Sequence, residues 1–509
     1  MPRVFPCTRS VRKSGRRRSK SRPWTLSRDA TFYWHDYETF GADPSRDRPV
    51  QFAGLRTDAE LNPVGEPLVI FSRPAGDFLP QPQACLVTGI TPQLALEQGV
   101  PEAEFIRQIH QELAAPGTCG VGYNSLRFDD EVTRYTLYRN FCDPYAREWQ
   151  NGNSRWDIID MVRACYALRP EGIEWPLRED GLPSFRLEDL TAANGIAHEA
   201  AHDALSDVHA TIAMARLIKD RQPRLYDYVL RHRDKHSVSS LLDLDSMKPV
   251  LHVSGMFGAL RHNIALIVPL AMHPKNKNEV ICYDLMADPA VLVQSSPEQL
   301  RDLLYTRTEE LPEGVERPGL KSVHINKCPI LVTARMADPD TAARLGISGD
   351  QCRAHLAALR EYRQRDPAAF TGKLQAVYAG RNFAQVSDPD RMLYSGGFFS
   401  DADKRLMDEV RQCTPEELAT ATFPFADDRL PEMLFRYRAR NYPDSLSPEE
   451  RKRWEEFRFH RLTEPDAGAS ICMEEYQELI QALVESGELS LPQCELMERL
   501  LEYSDSLLV

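Results

Sequence analysis

The sequence predicts an α/β layer with a mixed sheet, then a small β-barrel-like unit, then an α-helical C-terminal unit. Three observations carry this reading. Three strand-like runs come first and are followed by alternating helical and strand-like segments, the order that builds a layered α/β unit. A second strand-rich region extends from Val250 to Val332, punctuated by Pro, Gly and Asn. From Thr341 to the C-terminus the apolar spacing turns helical and stays so. At 509 residues the chain is too long for one ordinary core, so several units are expected.

The first strand lies in the run from Phe32 to Gly41, where apolar and aromatic residues lead into Asp36, Glu38 and Gly41. Val50–Thr57 and Pro67–Phe71 are the next two strands, with turn-like Leu61–Gly65 between them, which predicts an antiparallel meander. Glu102–Leu113 has helical spacing, and Gly120–Tyr123 is a short buried strand that stops at Asn124. Further helices are predicted over Asp129–Tyr138, Ile158–Leu168, Leu187–Ala193 and Ala204–Ile218. Composition changes near Gln222-Pro223. The barrel strands are Val250–Val253, Ile264–Val268, Val280–Tyr283 and Pro329–Val332.

Composition is globular, at 42% hydrophobic and 27% charged residues, which excludes a wholly disordered chain. No apolar run is long enough to span a bilayer. Eleven cysteines without a CxxC pair or a Cys/His comb argue against a zinc site or disulfide framework, and suit a reducing cytoplasm. Net charge is -13, yet residues 1–28 hold ten Lys or Arg and no acid, leaving the remainder at -23. This stretch lacks the apolar centre of a secretory signal. Its Arg- and Ser-rich, acid-free composition resembles an organelle transit peptide, though nothing else in the chain supports one. It is read as a basic disordered tail, or as a start codon placed too early.

Asp36 and Glu38 are two apart on a strand and point to the same side. Two carboxylates on one side of a core strand repel and lose solvation, and a divalent cation with oxygen ligands relieves both costs. Asn124-Ser125-Leu126-Arg127-Phe128-Asp129 follows a strand and enters a helix, with Asp129 in the first turn. Taken alone, such an Asp more often serves the helix dipole. His202 and Asp207 are five apart, about 140° on a helix, so a shared site puts His202 on the preceding loop and Asp207 within the helix. A loop histidine beside a helix-borne acid suits a proton acceptor near a metal ligand.

The order of Asp36, Glu38, Asp129, His202 and Asp207 resembles the His-containing branch of the DEDD exonuclease superfamily, with its ribonuclease H-like sheet. The likeness is closer still to bacterial exonuclease I. It is carried by His35-Asp36-Tyr37-Glu38-Thr39-Phe40-Gly41, Gly122-Tyr123-Asn124, Arg127-Phe128-Asp129-Asp130 and Asn153-Ser154-Arg155-Trp156-Asp157. It continues through Gly181-Leu182-Pro183-Ser184-Phe185-Arg186-Leu187, His252-Val253-Ser254-Gly255-Met256-Phe257-Gly258, His324-Ile325-Asn326-Lys327 and Gly397-Phe398-Phe399-Ser400-Asp401. The resemblance leaves out the basic tail over 1–28 and implies an exonuclease domain over 29–221, an SH3-like barrel over 222–375 and a helical domain over 376–509.

It also implies a monomeric 3′ to 5′ exonuclease on single-stranded DNA, in the cytoplasm to which the cysteine usage points. Two Mg²⁺ ions, replaceable by Mn²⁺, would be held by Asp36, Glu38, Asp129 and Asp207, with His202 as base. Glu38 and Thr39 would meet the terminal 3′-hydroxyl, and Arg186 a substrate phosphate. A single strand needs cations and stacking aromatics; the candidates are Arg134, Tyr145, Trp149, Arg155, Trp156 and Arg163, with Lys277, His324 and Lys327 in the barrel. The resemblance also implies a protein partner, the acidic, Phe-ending tail of the single-stranded-DNA-binding protein, docked near Arg169 and Tyr228. An RNA-trimming or proofreading DEDD enzyme, or a non-catalytic DNA-binding module, are the competing readings.

Overall fold

The computed structural model describes residues 30–198, 203–307, 310–312, 314–315, 317–380 and 386–508. The first sheet holds β1 (Thr31–Thr39), β2 (Pro49–Thr57), β3 (Leu68–Phe71), β4 (Thr118–Gly122) and β5 (Ser154–Asp157), in the order β3-β2-β1-β4-β5. β1 pairs antiparallel with β2 and parallel with β4, and β4 pairs parallel with β5, so the expected meander and mixed sheet are both present. β1 is central, and its alternation sorts the core. Phe32 and Trp34 face a cluster with Trp156, Met161 and Val208, while Tyr33 and Tyr37 pack with Phe52, Phe105 and Ile109 on the other face.

Eight helices accompany this sheet: α1 (Pro82–Thr88), α2 (Pro92–Gln98), α3 (Glu102–Ala114), α4 (Asp129–Arg139), α5 (Ile158–Leu168), α6 (Leu187–Ala193), α7 (Ala204–Arg221) and α8 (Pro223–Arg231). α5 and α7 pack on the Phe32/Trp34 face. α3 covers the other through Phe105, Ile106 and Ile109, buried at helical spacing. Burying side chains of this size is worth about 1.5–3 kcal/mol each before chain entropy is counted.

The second sheet is wholly antiparallel: β6 (Val250–Val253), β7 (Ile264–Met272), β8 (Glu279–Asp284), β9 (Leu320–His324) and β10 (Ile330–Thr333), in the order β10-β6-β7-β8-β9. One side of it joins the core of the first unit, where Leu251, Val253, Ile330 and Val332 meet α5, α7 and α8 residues. Further along the same face, at Val268, Ile281 and Tyr283, it is covered by helices Gly349–Arg365 and Pro367–Ala379 through Leu359, Phe370, Leu374 and Val377, while the opposite face packs Val250, Ile267, Val280 and Cys282 against Val238 and Leu242. A boundary placed at 375 therefore falls inside a helix that packs on this sheet. The remaining chain is helical apart from its connections.

Buried ion pairs on helix Arg429–Asn441 hold the C-terminal unit together and, through Asp77, tie it to the first unit. Arg440 reaches Asp77 at 2.8 Å and Asp390 at 2.7 Å, and Arg436 reaches Asp388 at 2.6 Å. Such pairs cost desolvation when formed, but losing one partner strands the other charge, so they fix how the units meet. Among the described residues no helix is long and apolar enough to cross a membrane.

Candidate active site

The site forms where β1 outlasts its parallel neighbour. β4 pairs with β1 only as far as Trp34↔Val121, then ends at Gly122 and turns away. A Cβ at Gly122 would lie 2.9 Å from the His35 carbonyl oxygen and 2.6 Å from Ser125 Cβ, so the turn requires glycine. Asn124 follows in the left-handed region (φ 62°), which asparagine tolerates. The buried Asp157 carboxylate holds this turn. It accepts from the backbone N–H of Asn124 at 2.9 Å, Leu126 at 3.2 Å and Ile159 at 3.0 Å. Burial, and then Asp160, push its carboxyl up to about 7.

The turn delivers Asp129 to the first turn of α4, where its Oδ1 accepts from the Tyr37 N–H at 3.1 Å, in the gap that β4 has left. Asp36 and Glu38 project on the Phe32/Trp34 face, as strand alternation requires. Asp207 approaches that face from the first turn of α7, which Asp203 caps by accepting from the Ser206 N–H at 3.1 Å. One carboxylate oxygen from each of Asp36, Glu38 and Asp207 lies within 4.8 Å of the others.

The electrostatics mark this cluster as one that wants a cation. Burial, then Asp129, Glu38 and Asp207, hold the Asp36 carboxyl well above the usual range. Burial, then Asp207 and Asp129, push Glu38 up to about 8. Asp129 rises to about 7, mainly by burial. Each acid raises its neighbours' proton affinity, and a divalent cation with oxygen ligands reverses that effect. The donor set therefore fits a hard or borderline divalent metal. At the open carboxyl end of parallel strands, such a group stands where α/β sheets place their ligand sites.

The chain is 48% identical to exodeoxyribonuclease I of Escherichia coli (strain K12) over 479 residues, covering 94% of this chain and 98% of that one. The chain belongs to the exonuclease I family. Three family models divide it in order: Exonuclease over 33–215, Exonuclease I SH3-like domain over 233–380 and Exonuclease I C-terminal domain over 387–507. Exodeoxyribonuclease I of Haemophilus influenzae is 46% identical over 487 residues, 95% of this chain and all of that one. The fold matches a moderately thermophilic exonuclease I from Methylocaldum szegediense with TM-score 0.89 at 51% identity, covering 94% of this chain and 100% of that one. It matches E. coli exonuclease I in complex with a dA16 oligonucleotide with TM-score 0.89 at 48% identity and the same coverage. A zinc-bound form of the E. coli enzyme with single-stranded DNA aligns equally well.

Against this exonuclease I frame, the residues singled out from sequence fall into separate groups. Asp36, Glu38 and Asp207 converge, and Asp129 stands beside them as a fourth acid held by the β1 backbone. His202 lies outside the described residues. Thr39 is buried beside the site, its hydroxyl donating to the Gly41 carbonyl at 2.7 Å. Arg186 is exposed and paired with Glu188.

Three nucleic-acid candidates sit inside the fold instead. Trp156 is 1% exposed and packs edge-on to Tyr226, which leaves no face for a base. Arg155 is buried against Asp130 at 2.7 Å and Glu148 at 3.1 Å. Arg134 is buried between Glu148 at 2.7 Å and Glu131 at 2.6 Å. A guanidinium committed to two carboxylates cannot also neutralise phosphate without breaking a buried pair.

The other candidates reach solvent to differing degrees. Trp149 is 66% exposed. Tyr145 is half-buried, with Arg134 over its ring and Phe398 at its edge. Arg163 pairs with Asp160 at 2.7 Å. Lys277 is exposed, His324 Nε2 lies 3.8 Å from Glu279, and Lys327 Nζ lies 3.9 Å from Glu131. At the junction of the two sheets Arg169 donates to the carbonyls of Leu168 and Met336, and the Tyr228 hydroxyl donates to the Leu331 carbonyl at 3.4 Å.

Sequence reasoning passed over three residues at or near this site. Asp157 was read only as part of a motif. Phe398, 86% exposed at the edge of Tyr145, sits in a Gly-Phe-Phe stretch whose aromatics have no local sign of which one faces out. His198, four residues before His202, lies against Asp207.

Proposed function

We propose that the chain is an exodeoxyribonuclease that degrades single-stranded DNA from its 3′ end and releases 5′-mononucleotides, acting in DNA repair and recombination. The observation that carries this is the convergence of Asp36, Glu38 and Asp207 at the open end of β1, with Asp129 beside them, in a member of the exonuclease I family. Asp36, Glu38, Asp129 and Asp207 would hold two Mg²⁺ ions, with Mn²⁺ as a substitute. Bound there, divalent ions supply an activated water and stabilise the leaving 3′-oxygen.

The chain's own residues do the rest. His202 takes the proton of the attacking water on an imidazole nitrogen. Glu38 and the backbone from Thr39 to Gly41 receive the terminal 3′-hydroxyl, and Arg186 turns from Glu188 to a phosphate. Trp149 and Phe398 offer exposed ring surface, and Tyr145 a half-buried ring beside them, on which bases stack without regard to sequence, while Arg163, Lys277, His324 and Lys327 track the backbone. Glu131, two residues after Asp129, meets both Lys327 of the barrel and Tyr394 of the C-terminal unit, so the walls of the path are tied to the site.

The test uses purified protein with 3′- and 5′-labelled single-stranded DNA, duplex DNA and RNA, in Mg²⁺ or EDTA. Metal-dependent loss of a 3′ label from single-stranded DNA, with the 5′ label retained on shortening products, is expected. Preference for RNA, or activity confined to mismatched duplex ends, would move the chain to a trimming or proofreading role. Binding without cleavage in every condition would make it a non-catalytic module.

The same reading includes a protein partner. The monomeric, cytoplasmic enzyme docks the acidic, Phe-ending tail of the single-stranded-DNA-binding protein at the junction carrying Arg169 and Tyr228. A carboxylate-rich tail with a terminal ring wants a cation beside an apolar pocket. A fluorescent tail peptide should bind, weaken with salt and weaken in Arg169→Ala. Equal affinity for a peptide lacking its terminal Phe would refute the pocket.

A further inference from the structure

The stretch after α6 brings His198 to the acid cluster. His198 Nε2 lies 2.5 Å from Asp207 Oδ1, and His198 Nδ1 lies 3.1 Å from Thr191 Oγ1. The imidazole is nearly buried, with 5% of its side chain exposed, and Asp207 keeps 16%. Thr191 lies on α6 and Asp207 on α7, so one ring joins the two helices where the site's carboxylate leaves α7.

We infer that His198 is a positioning residue for Asp207. Its Nε2–H donates to Oδ1 and sets the rotation of the carboxylate that converges with Asp36 and Glu38. The inference rests on the reading of Asp207 as a metal ligand. Two hydrogen arrangements satisfy the geometry. The Thr191 hydroxyl can donate to Nδ1, which leaves a neutral ring with its proton on Nε2. Alternatively the hydroxyl donates to the carbonyl of Leu187 or Glu188, each 3.0 Å away, and accepts from an Nδ1–H. The ring then needs a second proton to face the carboxylate. Both put an N–H on Oδ1.

That contact does two things for the cluster. It puts a hydrogen-bond donor on one oxygen of a carboxylate that converges with two others. It also restrains the rotation of that carboxylate about its χ angles. Thr191 supports the ring from behind, so the chain Thr191–His198–Asp207 is an outer shell running from α6 into the site. His202, four residues further on, keeps its separate role as proton acceptor.

The experiment measures Mn²⁺ binding to the full chain after EDTA stripping, by electron paramagnetic resonance and calorimetry. His198→Leu should weaken Mn²⁺ binding by about 10- to 100-fold. His198→Gln, whose amide N–H stands close to the Nε2 position, should restore most of it. Affinity for an oligo-dT strand in EDTA and the melting temperature in EDTA should stay at parent values, which a merely structural role would not allow. If His198→Leu fails to fold, Thr191→Val carries the test, with a smaller loss in the same direction.

Unchanged Mn²⁺ affinity in a folded His198→Leu protein would overturn the inference. Tighter binding would overturn it too, by showing that the imidazole competes with the metal. Parent protein whose Mn²⁺ binding is insensitive to Asp36→Asn would refute the metal reading of the cluster itself, and is told apart by that control.

Discussion

Replacing Trp149 by Ala and, separately, Trp156 by Phe should divide two functions between two tryptophans seven residues apart. Trp149 is 66% exposed, so its removal leaves the core intact and takes away one stacking platform. Base–aromatic stacking is worth about 1–3 kcal/mol per base, which predicts a loss of roughly 5- to 150-fold in affinity for single-stranded DNA. Trp156 is 1% exposed and packs against Phe32 and Tyr226. Trimming its indole to a phenyl ring removes buried apolar surface and leaves a cavity. Its Nε1–H finds no acceptor among the described residues, so losing that group offsets part of the cost. The net should be about 1–2 kcal/mol of destabilisation, roughly 2–8 °C in the melting temperature of a domain this size. The assays are fluorescence anisotropy with a labelled oligo-dT strand in EDTA, and thermal unfolding of the same samples. The reasoning fails if Trp149→Ala binds as tightly as the parent, or if Trp156→Phe loses DNA affinity while its melting temperature is unchanged.

Other perturbations probe the acids and the buried ion pairs. Asp36→Asn should lower turnover by several orders of magnitude while retaining single-stranded-DNA affinity in EDTA; turnover near the parent's would remove Asp36 from the site. Glu38 is pushed from its ordinary 4.5 up to about 8, so between those values the folded metal-free protein holds a proton that the unfolded chain has released. Its contribution to stability is therefore full below about pH 4.5 and is lost as pH rises towards about 8. Melting curves in EDTA should fall more steeply over that window in the parent than in Glu38→Gln, and added Mg²⁺ should raise the melting temperature more at pH 8 than at pH 5.5. Parallel pH curves for parent and variant would contradict this. Arg155→Ala removes one of the two guanidinium partners of each of the buried Asp130 and Glu148, which Arg147 and Arg134 still hold, and should cost about 1–3 kcal/mol in denaturant unfolding, with DNA affinity per folded molecule unchanged. A loss of affinity without a loss of stability would return Arg155 to the DNA path.

Local pattern carried much of the fold. The helix over Ile158–Leu168 lies where the apolar spacing puts it, because an amphipathic helix writes its period into neighbouring residues. The meander of β1, β2 and β3 was legible for the same reason, each strand being a run of apolar and β-branched residues closed by a turn. α1 and α2 were not legible. Each has seven residues and opens on a proline, too short to establish a period. β5 has four residues and β9 has five, and neither alternates clearly enough to separate a strand from a loop. The barrel's covering helices were visible as helices, but the packing of Pro367–Ala379 onto the second sheet was not.

The sequence by itself determined the acids of the site. Strand alternation puts Asp36 and Glu38 on one side whatever else the chain does, and the positions of Asp129 and Asp207 at helix starts follow from short-range signals that lie beside them. What the tertiary structure decided is which side chains these acids and the nearby cations meet. Arg134 and Arg155 have the residue type and neighbourhood of phosphate contacts, but Glu148 and Asp130 claim them from other elements, with Glu131 adding to the hold on Arg134 from one turn away on α4. Trp149 and Trp156 are indistinguishable as letters, yet one sits in a surface turn and the other ends in the core between β1 and α8. His198 shows no local sign of its partner, because the return of the α6–α7 connection onto Asp207 depends on how both helices dock on the sheet. Periodicity is a property of a few adjacent residues, whereas a charge's partner is set by chain segments that meet only after the core has formed.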